Sequence, residues 1–104
     1  MGKYVKVCRD DELADGSTRN ISVNGLSLIL VRDNDHIYAL DNMCTHDGGD
    51  LSEGKIINGQ IQCPRHGALF DLKTGDATQM PAVIGINTYD VKIEDGNVLV
   101  ALKE

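Results

Sequence analysis

Four side chains in this 104-residue chain are spaced as metal ligands. Cys44 and His46 form a C-x-H pair in "NMCTHDGGDLSEG", residues 42–54. Cys63 and His66 form a C-x-x-H pair in "QCPRHGALFDLKTG", residues 62–75. Neither pair can close a four-coordinate site alone, so each needs the other. Together they use two of the three cysteines and two of the three histidines in the chain. Glycine follows both pairs, as Gly48 and Gly49 in one case and Gly67 in the other. A mononuclear zinc site accepts two thiolates and two imidazoles. Zinc fingers usually group Cys with Cys and His with His, whereas each segment here offers one of each. A two-iron, two-sulfide cluster accounts for that mixture better, with both thiolates on one iron and both imidazoles on the other. The glycines suit it too, because backbone N–H groups must come close to the sulfides.

The elements that would position these residues are short strands. Asn24-Gly25, Asn58-Gly59 and Asp95-Gly96 are hairpin signals, since those residues tolerate positive φ. Asp33-Asn34-Asp35 and Lys73-Thr74-Gly75 add two further turns. Between them, strands are predicted over 4–7, 21–23, 26–32, 36–40, 56–57, 60–63, 68–72, 84–93 and 98–102. The segment "DDELADGS" has room for one helical turn at most. Many short strands joined by close turns predict an all-β antiparallel sandwich or small barrel. The hairpin "GKIINGQIQ" would bring the two ligand segments side by side. Residues 42–54 are too long for a tight turn, and a loop of that length in a compact domain is usually functional.

Composition narrows the function classes. The length predicts one domain, residues 1–104. At 41% apolar residues the chain should be globular. A net charge of -6 argues against nucleic acid, which rewards clustered Lys and Arg. It would favour encounter with a partner carrying a basic patch. The run "LSLILV" is far too short to cross a bilayer, and the first residues have no apolar stretch of signal-peptide length. A cytoplasmic protein without a membrane partner is expected. Three cysteines do not make a disulfide framework and point to metal or redox work.

The two boxes "CTHDGGDLSEG" and "CPRHGALFDLKTG" resemble the cluster-binding boxes of Rieske iron–sulfur proteins. The chain is most similar to the small Rieske-type ferredoxins of bacterial ring-hydroxylating oxygenases, from "VKVCRDDEL" to "YDVKIEDGNVLV". The resemblance implies one [2Fe-2S] cluster, with Cys44 and Cys63 on one iron and His46 and His66 on the other. It implies an antiparallel β-sandwich with the cluster-binding segment, about residues 42–82, at one tip. A third loop containing Gln79, Met80 and Pro81 would cover the cluster, and Met80 and Pro81 would offer an apolar docking rim. The implied role is a monomeric one-electron carrier, not an enzyme, between a flavin-containing NAD(P)H reductase and an oxygenase. Respiratory members of the family carry an extra cysteine pair joined as a disulfide, and the matching positions here are Gly49 and Arg65. They also carry a serine and a tyrosine bonded to cluster sulfurs, where this chain has Ala68 and Phe70. Fewer donors to sulfur predict a low potential, roughly −150 mV.

Two other readings use the same residues. Small Rieske-like subunits accompany assimilatory nitrite reductases, often with ligands missing, and the intact set here counts against that role. A zinc-stabilised binding module would be colourless and redox-inactive. Of the remaining residues, Cys8 is expected as a small buried hydrophobe and His36 as a strand-start surface residue. With His36 alone outside the boxes, no histidine pair remains for a mononuclear iron triad. Asp47, Asp50 and Glu53 could steer a basic partner or form a solvated face. Arg65, between two ligands, is expected at the surface, either tuning the potential or solubilising its loop. Tyr4, Tyr38, Tyr89 and Phe70 are expected in the core.

Overall fold

The computed structural model describes residues 3–45 and 48–102. Its strands are β1 (Lys3–Arg9), β2 (Thr18–Val23), β3 (Leu26–Asp33), β4 (His36–Asp41), β5 (Ile56–Ile57), β6 (Gln60–Gln62), β7 (Leu69–Asp71), β8 (Ala77–Gln79), β9 (Thr88–Tyr89), β10 (Val91–Glu94) and β11 (Asn97–Leu102). They form three antiparallel sheets, ordered β1-β11-β10, β2-β3-β4-β9 and β5-β6-β7-β8. The expected hairpin turns are all present. Asn24 and Gly25, Asn58 and Gly59, and Asp95 and Gly96 have positive φ at both positions, the geometry that matches strand twist in a two-residue loop. Within "DDELADGS", Asp10–Glu12 form a single 3-10 turn. Arg9 N–H donates to Glu12 Oε1 at 2.7 Å, and Arg32 pairs with Asp10. Among the described residues no helix is long and apolar enough to cross a membrane.

The central sheet is buried on both faces, which explains the unbroken apolar run in β3. Leu28, Ile29, Leu30 and Val31 are all fully buried. Strand side chains alternate, so Leu28 and Leu30 enter one core while Ile29 and Val31 enter another. In β4 the same alternation sends Ala39 one way and Leu40 the other. The sheet β1-β11-β10 covers one face and supplies Cys8, Val98, Val100 and Leu102. The short-stranded sheet covers the other and supplies Ile61 and Phe70. The predicted sandwich is therefore present, and the ligand-bearing layer packs on the outer face of one of its sheets.

Some expectations change. Residues 84–93 are not one strand. Residues 84–87 form a loop, β9 pairs with β4, and β10 pairs with β11, so the chain changes sheets at Asp90. β8 was not foreseen; three residues long, it exists through its pairing with β7, across a bulge. Tyr4 is not core: it is exposed, with Lys92 Nζ 4.3 Å from its ring centre. Tyr38 and Tyr89 are half-buried against opposite cores and Phe70 is fully buried.

Candidate metal centre

Residues 42–54 leave the end of β4 and are pinned at once to the central sheet. Asn42 is buried. Its backbone N–H donates to the Ser27 carbonyl at 3.0 Å, and its Oδ1 accepts from Leu51 N–H at 2.8 Å. One residue thus fixes both the start of the loop and a point well beyond the first ligand pair. Thr18 Oγ1 donates to the Ser52 carbonyl at 2.6 Å, a second tie to the same sheet. The loop then runs against β6. Gln62 N–H donates to Lys55 carbonyl at 2.8 Å, and a Cβ on Gly54 would lie 2.0 Å from the Gln62 carbonyl oxygen. Only glycine fits there.

The two ligand loops share one backbone frame. Cys44 N–H donates to Gly49 carbonyl at 2.8 Å, while the Cys44 carbonyl accepts from Gly48 N–H at 2.7 Å. In the second loop Cys63 N–H donates to Ala68 carbonyl at 2.7 Å, and the Cys63 carbonyl accepts from Gly67 N–H at 3.1 Å. Gly48 has φ 75° and Gly67 φ 79°, a left-handed turn that favours glycine. Each cysteine therefore opens a loop closed four and five residues later. Both cysteines are buried, at 0% and 1% exposure, in one core with Leu51, Ile61, Ala68 and Phe70. His66 is exposed. The expected ligand His46 and the acidic Asp47 lie outside the described residues.

The end of β8 and the loop that follows it, residues 80–86, tie to both. Gln79 Nε2 donates to Gly67 carbonyl at 3.1 Å, and Thr45 Oγ1 donates to Ile84 carbonyl at 2.5 Å. Its far end is anchored by Ile86 N–H to Gly75 carbonyl at 2.8 Å, with Ile86 and Ala82 turned into the core. The Met80–Pro81 peptide is cis. Met80, Val83 and Ile84 are 70%, 73% and 66% exposed. The apolar rim is wider than the Met80 and Pro81 expected, because Ile84 belongs to this loop and not to a strand. The ties through Asn42, Thr45 and Gln79 had no local sequence signal.

The two thiols lie in one core and His66 lies at the surface, while among the described residues no three His, Cys, Asp or Glu side chains gather as a site for a single metal ion. Ala68 and Phe70, both fully buried beside the thiols, bring no hydroxyl to them. Cys8 belongs to the other core, with the central sheet between, and burial pushes its thiol pKa up. It is a buried small side chain, as expected. His36 opens β4 and is exposed. Asp50 and Glu53 are exposed. Arg65 is exposed as well, but it is not idle: its Nη1 donates to Asp50 carbonyl at 2.9 Å.

Comparison with known proteins gives the same direction. A family model described as a Rieske [2Fe-2S] domain matches residues 3–90. The ferredoxin component of the naphthalene 1,2-dioxygenase system of Pseudomonas putida is 35% identical over 100 residues, covering 96% of each chain. Human apoptosis-inducing factor 3 is 35% identical over 94 residues, but the chain spans only 16% of that protein's length. Among solved structures, the ferredoxin of carbazole 1,9a-dioxygenase from Nocardioides aromaticivorans superposes with a TM-score of 0.92 at 35% identity, covering 97% of this chain and 99% of that one. A ferredoxin chain from a complex of reduced oxygenase and oxidised ferredoxin in carbazole 1,9a-dioxygenase gives 0.88 at 32% identity, covering 94% and 92%. A nitrite reductase small subunit from Mycobacterium tuberculosis shares the fold, with a TM-score of 0.91 at 21% identity.

Proposed function

The chain belongs to the Rieske [2Fe-2S] domain family, and on that basis we propose that it carries single electrons to an oxygenase component. The observation that carries the reading is the pair of matching loops, each opening on a buried cysteine, with His66 exposed in the second. The proposed unit is a single domain over residues 1–104, with about 42–82 binding one [2Fe-2S] cluster. Cys44 and Cys63, both buried, would supply two of its ligands, and His46 and His66 would supply the other two. When bound, such a cluster stores and releases one electron without bond chemistry.

The chain's own residues divide the work. The two buried thiols and their frames fix the site against the core. The exposed His66 imidazole would meet an incoming partner. Met80, Val83 and Ile84 form an apolar margin on the adjoining loop, and apolar contact there would exclude water as two proteins meet. The proposed donor is a flavin-containing NAD(P)H reductase. The proposed acceptor is an oxygenase, as in the dioxygenase system and the oxygenase–ferredoxin complex of the relatives. A cytoplasmic monomer is the proposed state. The likeness to a nitrite reductase small subunit, at 21% identity, shows the fold alone.

The test is an EPR spectrum of anaerobically purified, dithionite-reduced protein, with iron, zinc and acid-labile sulfide measured on the same sample. A rhombic signal with average g below the free-electron value, with two irons and two sulfides per chain, is expected. A colourless, silent sample with stoichiometric zinc would remove electron transfer.

A further inference from the structure

Each ligand loop closes on itself, and its internal hydrogen bonds do nothing to hold one loop to the other. Crossings between them do that. At their base the segments meet where Gln62 N–H donates to the Lys55 carbonyl, and an indirect crossing runs by way of Gln79 to Gly67 and Thr45 to Ile84. A direct crossing nearer the ligands comes from Arg65. That residue stands between Cys63 and His66 in the second loop, yet its guanidinium reaches the first. Nη1 donates to Asp50 carbonyl at 2.9 Å. The rest of the group lies against Gly49 so closely that a Cβ built there would sit 2.5 Å from Cζ, 2.5 Å from Nη2 and 2.8 Å from Nε. Gly49 does not have the positive φ of its neighbour Gly48, so no backbone conformation demands glycine there. The demand comes from the space the guanidinium fills.

We propose that Arg65 is a positioning residue, a clasp that fixes the first ligand loop against the second, and that Gly49 is its seat. The proposal rests on the reading that both loops hold one cluster. A planar guanidinium suits the task because it offers several donors in a fixed plane and covers a flat stretch of backbone. A lysine keeps the charge but has neither the plane nor the fork. The clasp therefore differs from a pure charge effect in what it depends on: shape at residue 65 and empty space at residue 49.

The experiment compares loaded wild type with Arg65→Ala, Arg65→Lys and Gly49→Ala. Iron and sulfide are assayed first, and the visible absorbance is then followed in excess iron chelator. The reduced EPR spectrum and the potential are recorded on the same samples. Gly49→Ala needs only the flexible end of Arg65 to move, so it displaces the clasp while keeping its charge. Arg65→Ala and Gly49→Ala are expected to bleach about tenfold faster than wild type, as for other groups that orient ligands. Arg65→Lys should rescue the potential but not the bleaching rate, and Gly49→Ala should alter the EPR line shape. Wild-type bleaching and line shape in Gly49→Ala, with full rescue by Arg65→Lys, would reduce Arg65 to a surface charge and overturn the clasp. If Arg65→Ala cannot be purified loaded, Gly49→Ala still decides. A wild type without iron and sulfide would instead overturn the functional reading, and the clasp with it.

Discussion

The two layers that cover the central sheet are built from different material. On one face, β1 and β11 pair over nearly their whole lengths, from Lys3 with Leu102 to Arg9 with Asn97. The buried core there is aliphatic apart from one cysteine, Cys8, that is no ligand candidate. On the other face, the strands are two or three residues long and most of the chain is loop. Its core includes the two candidate ligand thiols. The first layer has ladder and apolar burial enough to hold its shape. The second is short of both, so its order should depend on what its loops bind. One sheet thus serves a self-sufficient base and a conditional cap.

The largest break in that comparison should come from removing a thiol. In Cys63→Ser, cluster loading is expected to fail, and backbone amides of β5–β8 should exchange with solvent much faster. Amides of β11 should keep their protection. Hydrogen exchange read by mass spectrometry checks this, and equal loosening of both layers would contradict the division. The converse variant is Leu30→Ala, in the base core. It should cost about 2–5 kcal/mol of stability, measured by denaturant unfolding, while leaving the EPR spectrum of the folded fraction unchanged.

Changes within the cap should be finer. His66→Cys is expected to retain a cluster but lower its potential, on the order of 100 mV, because a thiolate adds negative charge where a neutral imidazole stood. An unchanged potential would mean His66 is not a ligand. The wild-type potential itself should lie near −150 mV, the low end for this ligand set, given apolar Ala68 and Phe70 beside the thiols. A titration well above zero would sink that expectation.

The smallest effect concerns the central sheet, on the side of the base core. Tyr89 Oη donates to Asp41 Oδ1 at 2.6 Å, and burial, then that bond and the Asp41 charge, push the tyrosine pKa up to about 12. A raised pKa means the folded state holds the proton more tightly. Its contribution is complete below the ordinary value of 10.0 and is lost as pH rises through about 12. Tyr89→Phe should abolish this alkaline step in stability and cost about 1 kcal/mol at neutral pH. Thermal unfolding measured from pH 8 to 12 tests it.

What could be read in the sequence follows a physical line. Turns that need positive φ leave a local mark, so Asn24-Gly25, Asn58-Gly59 and Asp95-Gly96 were legible, and the strands they join came with them. The ligand pairs were legible because Cys and His are rare in the chain and glycines flank them. Which sheet a strand joins leaves no local mark. The stretch 84–93 looked continuous, yet the chain crosses from one sheet to another at Asp90. The run 28–31 looked only apolar, and nothing local told that its side chains serve two cores in turn. The seat of Arg65 on Gly49 joins two segments far apart in sequence, and the identities of those residues alone do not announce it.

The shared frame of the ligand loops has a consequence for pattern searching. In both loops the cysteine is closed by a glycine four residues on, Cys44 to Gly48 and Cys63 to Gly67. The distance from cysteine to histidine differs, being shorter in the first loop than in the second. The constant is therefore C-x-x-x-G, with the histidine free to occupy either of two places inside it. A query written around cysteine-to-histidine spacing treats the two boxes as different motifs. One written around the cysteine and its closing glycine finds the same motif twice in this chain, and would also catch relatives in which a histidine has shifted by one position.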